Sequence, residues 1–104
     1  MRYSNGSILQ NMYFGRCCYI CMKHGDFSIK PHLQKHHVFM GPNRRISEEQ
    51  GFYVWLCPEC HIFNSHAVHK DNEACRKLQR EAQQAYERDH TREEFMSLIG
   101  RSYL

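Results

Sequence analysis

Residues 52 to 56, Phe-Tyr-Val-Trp-Leu, are the most strand-prone run of the chain, a continuous aromatic and aliphatic stretch suited to a pleated surface. Farther on, Ala74, Leu78, Ala82, Ala85 and Tyr86 recur at helical spacing. They predict the longest element, a helix running from an N-cap at Asp71 or Asn72 to about Arg88. Thr91 and Glu94 have the spacing of a capping box. They open a second, shorter helix that puts Phe95, Leu98 and Ile99 on one face and stops at Gly100. Upstream, alternation among β-prone residues over 27 to 39 predicts two strands interrupted at Pro31. Gly41, Pro42 and Asn43 form a turn, and Ser47 with Gln50 three residues later caps one helical turn. Residues 1 to 16 lack clear periodicity and read as an N-terminal arm, with a short helix around residues 7 to 12. No repeat or low-complexity tract interrupts the rest, so residues 17 to 104 read as one α+β domain with a β-hairpin, a long helix and a short C-terminal helical extension.

Composition changes that picture by showing how thin the core is. Leu, Ile, Val and Phe make up 21 of 104 residues, close to the level below which burial fails to offset chain entropy. Six Cys and eight His can supply the missing stability as disulfides or as metal ligands. The first residues lack the apolar run of a secretory signal, and no stretch approaches the ~18 apolar residues of a membrane span. The expectation is a cytoplasmic protein with reduced thiols, which favours metal over disulfides. The net charge of +3 and pI of 8.6 permit nucleic-acid binding without demanding it.

Cys18-x-x-Cys21 and Cys57-x-x-Cys60 are two knuckles separated by 35 residues. Two intervening residues let a tight turn aim both thiolates at one ion, and two such turns complete a closed tetrahedral zinc site. A single pair would fit a thioredoxin-like motif equally well, but the βαβ context of that fold is missing. Cys17 can replace Cys18 only with a poorer turn spacing, and Cys75 on the long helix reads as a packed residue.

His36 and His37 end the upstream strand region, and His61 directly follows the second knuckle. If the four knuckle cysteines meet, the segments bearing His36 and His61 emerge from one small region. Adjacent side chains on a strand diverge, so His36 and His37 suit different roles.

The order Cys-x-x-Cys, His-His-aliphatic, Leu-Cys-x-x-Cys-His and a further His before a helix resembles the zinc-stapled HNH endonucleases over about residues 18 to 88. The resemblance implies a small ββα-metal domain holding one catalytic divalent ion (Mg2+, Mn2+ or another transition metal) beside a structural Zn2+. It implies His36 and His61 as ligands, His37 as general base, and His69 or His66 as third ligand, with His69 preferred because it directly precedes the helix. It also implies DNA as substrate, and such compact members are common in phage and mobile-element genomes. The family's central Asn is missing before the second knuckle, where Gln50, Gly51, Phe52 and Tyr53 stand; Asn43 is the nearest substitute.

Phosphodiester hydrolysis needs a base near neutral pH and a cation facing the phosphate, which imidazoles can provide in both roles. Arg44 and Arg45 are candidate phosphate contacts. His24, His32 and His90 read as surface residues, and the long helix interleaves Arg76, Lys77, Arg80 and Arg88 with Glu73, Glu81 and Glu87 as a salt-bridged face. A homodimer, or a phage or host protein partner, would strengthen binding by so modest a charge. The competing reading is a non-catalytic zinc module that binds nucleic acid or protein.

Overall fold

The computed structural model describes residues 7–10 and 17–104. Their elements are α1 (Tyr19–Lys23), β1 (Gln34–His37), a 3-10 turn (Gly41–Asn43), α2 (Arg44–Gln50), β2 (Tyr53–Leu56), a π-helical turn (Glu59–Phe63), α3 (Asn72–Tyr86) and α4 (Arg92–Ile99). This is an α+β architecture around a two-stranded antiparallel sheet. In register, Gln34 faces Leu56, Lys35 faces Trp55, His36 faces Val54 and His37 faces Tyr53. The strands are joined by a connection that carries α2, so the expected hairpin is a wide one. Among the described residues no helix is long and apolar enough to cross a membrane.

The helices follow local chemistry closely. The Asp71 side chain accepts from Glu73 N at the start of α3, and the full Thr91–Glu94 capping box opens α4, which ends on Gly100 in the left-handed region at φ 103°. The end of α3 at Tyr86 falls within the ordinary uncertainty of a helix terminus. The sheet packs beneath an aromatic cluster in which Phe39, Phe52, Tyr86 and Phe95 meet edge-to-face or tilted at 5.3 to 6.0 Å, a spacing at which ring quadrupoles attract. Tyr103, beyond α4, closes the cluster over Phe39 at 5.2 Å.

Three expectations are corrected. Only the second of the two strands proposed for residues 27 to 39 forms: Phe27 and Ile29 alternate like a strand yet are 61% and 73% exposed. Asp26 explains why, since its carboxylate accepts from both Ser28 N and Ser28 Oγ and bends the chain as an Asx turn. Ser47 does not cap a helix. It lies inside α2, fully buried, where its hydroxyl accepts from Phe39 N at 3.1 Å and donates to Phe39 O at 2.7 Å, pinning α2 to the chain after β1. Of the helix expected over residues 7 to 12, residues 8–10 form bends and Ser7 has no regular structure, and residues 11 and 12 lie outside the described residues.

The described part of the arm lies along the outer edge of β2. Ile8 N donates to Gly51 O, Gln10 Oε1 accepts from Trp55 N at 2.8 Å, and Gln10 Nε2 donates to Cys17 O at 2.7 Å. Gln10 is buried, and both ends of its amide are satisfied.

Phe95 is fully buried against three other rings. Phe95→Ala is expected to lower the unfolding free energy by about 3–5 kcal/mol, the usual cost of emptying an aromatic site, as read by denaturant titration. Thr91→Ala, which removes only the cap, is expected to cost about 1 kcal/mol in the same measurement. Equal losses in the two variants would mean that the aromatic cluster is not the core.

Candidate metal centres

Each knuckle is built by a turn that begins at a cysteine. Cys18 is the extended N-cap of α1 and its sulfur accepts from Cys21 N at 3.5 Å. The chain then bends back through Asp26 N to Cys21 O. On the other side, β2 delivers Cys57, and Pro58 leads into the π-helical turn, whose widened ring is closed by Asn64 N on Glu59 O. The four sulfurs converge so that all lie within 4.8 Å of one another. Cys21 Sγ stands 3.9 Å from Cys57 Sγ and 3.8 Å from Cys60 Sγ. A tetrahedron with ~2.3 Å metal–sulfur bonds has edges of about 3.8 Å, whereas a disulfide would require about 2 Å. The four-Cys group is thus positioned to bind a metal, at a spacing consistent with zinc.

The electrostatics of the thiols point the same way. Burial would raise Cys18, but hydrogen bonds from Cys57 and Cys21 outweigh it and lower its pKa. Cys21 is pushed up to about 11, by burial first and then by Cys18, and Cys60 is raised by the same two causes. One thiolate therefore opposes the next, a conflict that a bound cation resolves. Cys17 points away, its Sγ donating to Phe27 O at 3.1 Å. Cys75 is a half-buried free thiol outside the cluster.

The second cluster gathers His36, His61 and His69, whose ligand atoms likewise lie within 4.8 Å of one another. His36 projects from β1 and is only 2% exposed, and its Nε2 is a buried polar atom with no hydrogen-bond partner among the described residues. Such an atom costs on the order of 1–3 kcal/mol if left unmet. Burial, and then His61, His69 and His37, push its pKa down to about 3. Burial and His69 also lower His61. Both imidazoles are therefore neutral at pH 7, the form that ligates.

His61 and His69 reach the cluster because the chain after the second knuckle folds back on it, with Val68 N on Cys60 O and His69 N on His61 O. Their Nε2 atoms approach to 2.9 Å. His61 Nδ1 donates to Gln34 Oε1 at 2.7 Å, which leaves the lone pair on Nε2, toward the cluster. Gln34 was not foreseen from the sequence, where nothing in a strand glutamine distinguishes it.

Of the other predicted residues, His37 borders the same depression of about 330 Å³ as the three histidines, together with Lys35, Met40 and Arg44. Its Nε2 lies 2.7 Å from Glu48 Oε1. That bond, with Lys35 Nζ 3.1 Å from Glu48 Oε2, holds the Glu48 carboxyl below its ordinary range. Arg44 also lines the adjoining depression with Arg45, but Arg45 stands outside the histidine depression and pairs with Glu49 at 3.3 Å. His66 does not join the cluster and borders a separate groove between α1 and α3. Asn43 is committed elsewhere: its Nδ2 donates to Ile99 O at 3.0 Å, tying the connection between the strands to the end of α4. His24, His32 and His90 are exposed, His90 stacking on Tyr86 at 4.1 Å.

Elemental analysis of the purified protein is expected to return about one tightly held zinc per chain at the four-Cys group. Cys57→Ala should lose that zinc and the cooperative thermal transition together, because metal binding contributes on the order of 10 kcal/mol to the folding of such domains. Cys17→Ser is expected to keep both. A Cys57→Ala protein that melts like its parent would show the sulfurs to be packing groups.

No protein-family model matches the chain, and comparisons with curated proteins and with solved structures give no match.

Proposed function

We propose that this protein is a metal-dependent nuclease of the HNH type, in which β1, β2 and the start of α3 form a ββα-metal unit stapled by a structural zinc. The observation that carries the reading is the buried His36 Nε2, without a hydrogen-bond partner among the described residues, in a cluster with two further imidazoles that line one depression. A core histidine that served packing alone would have a protein partner for that nitrogen.

The donor set fits a cation. His36, His61 and His69 would hold it. Three imidazole nitrogens favour cobalt, nickel or zinc, hold manganese more weakly, and suit magnesium least, since it prefers oxygen ligands. When bound, the ion supplies positive charge opposite the phosphate and the departing oxygen. The remaining work falls to side chains around the depression. Arg44 offers charged donors to the phosphate backbone, and Arg45 extends that surface along the neighbouring depression. His37 removes a proton from the attacking water, a role that contributes typically 100-fold or more. Burial of His36 excludes water from the floor of the site, while the exposed His69 leaves its mouth open to a substrate as large as DNA.

Supercoiled plasmid incubated with the purified protein and manganese is expected to be nicked, and chelator should stop the reaction. His61→Ala should abolish nicking and weaken binding of the second ion with the four-Cys zinc retained. His37→Ala should bind that ion normally yet cut about 100-fold more slowly. Absence of nicking by the wild-type protein with each of manganese, cobalt, nickel and zinc would favour the non-catalytic zinc module instead.

A further inference from the structure

Glu48 stands where neither cluster needs it, yet it makes the closest polar contact of His37. Successive strand residues point to opposite faces. His36 turns into the imidazole cluster, whereas Lys35 and His37 share the other face of β1, opposite α2. There Glu48 Oε1 lies 2.7 Å from His37 Nε2, and Lys35 Nζ lies 3.3 and 3.1 Å from the two carboxylate oxygens. Lys35 is itself held over the Tyr53 ring at 4.4 Å and the Trp55 ring at 5.5 Å. The preceding residue, Ser47, is locked to the Phe39 backbone by two hydrogen bonds. The carboxylate is thus fixed from its backbone side by Ser47 and from its oxygen side by Lys35.

An ionised carboxylate only accepts hydrogen bonds. At 2.7 Å from it, His37 Nε2 must carry the hydrogen, and the lone pair of the neutral ring then sits on Nδ1. We propose that Glu48 is the positioning residue of this centre: its carboxylate orients the His37 ring, keeps the proton on Nε2 and so makes Nδ1 the nitrogen that accepts the water's proton. The inference rests on His37 being the base of the proposed hydrolysis. In that step the water oxygen bonds to phosphorus, its proton passes to Nδ1, the bond from phosphorus to the departing oxygen breaks, and that oxygen takes a proton from solvent. The imidazolium that forms is balanced by the Glu48 charge, as a carboxylate does behind the histidine of a catalytic triad.

The test pairs a ring-nitrogen measurement with cleavage. In zinc-loaded protein carrying 15N-histidine, NMR at neutral pH is expected to show wild-type His37 protonated on Nε2 alone. Glu48→Ala, which places a strong helix former on α2, should turn His37 into a tautomer mixture and slow plasmid nicking by roughly 100-fold, with metal content unchanged. Glu48→Gln keeps an acceptor oxygen and should restore the Nε2–H form and part of the rate. An unchanged His37 tautomer in Glu48→Ala, or a wild-type His37 protonated on Nδ1, would overturn the proposal. Failure of the wild-type protein to nick DNA overturns the hydrolase reading instead, and the ring-nitrogen spectra still decide whether Glu48 governs His37.

Discussion

Four sulfurs that converge within 4.8 Å determine where the rest of this chain can lie. One pair belongs to the start of α1 and the other follows β2, so their meeting ties the two ends of the sheet region together across 35 residues of sequence. The apolar core is small and mixes aliphatic side chains with a cluster of aromatic rings, which gains much of its definition from ring geometry. The knuckles set the frame within which those rings meet. The same turns carry the second cluster. Cys60 and His61 are neighbours in the widened π-helical turn, one directed to the sulfurs and the other to the imidazoles.

Strand alternation divides the labour on β1. A strand of four residues offers two faces, and here one is occupied by His36 and the other by Lys35 and His37. The adjacent histidines, chemically identical in sequence, are therefore placed in unlike surroundings. One is buried with a nitrogen that has no partner among the described residues, and the other is half-buried against a carboxylate. This difference arises from the pleat of the backbone and from α2 lying across one face only.

Much of this was legible in the sequence where the determinant is local. The knuckle spacing, the Thr91–Glu94 capping box, the Gly100 stop and the apolar run at residues 52 to 56 each depend on a few neighbouring residues, and each formed as expected, the strand occupying all of that run but Phe52. His69 was separable from His66 only through its position next to α3, and the fold-back that selects it depends on backbone bonds to Cys60 and His61. Gln34 and Glu48 were invisible for a related reason. Their partners lie 27 and 11 residues away, and a polar residue at a strand start or on a helix carries no mark of what it will meet. Phe27 and Ile29 show the converse, since alternation suggests a strand but cannot supply a partner for it. Ser47 has the composition of a cap and the position of a core residue, and burial decided between them.

The Gln10 amide has a consequence for how the molecule meets other chains. An open strand edge is a template on which a foreign strand can add, and two-stranded sheets have little else to protect them. At the outer edge of β2 the Trp55 N–H is already taken by a side chain, and Gly51 O by the Ile8 backbone. The amide that occupies the edge is tethered to Cys17, next to the first knuckle. Displacing it would expose a buried donor and acceptor together, so self-association by strand addition at this edge is opposed by the same region that anchors the fold.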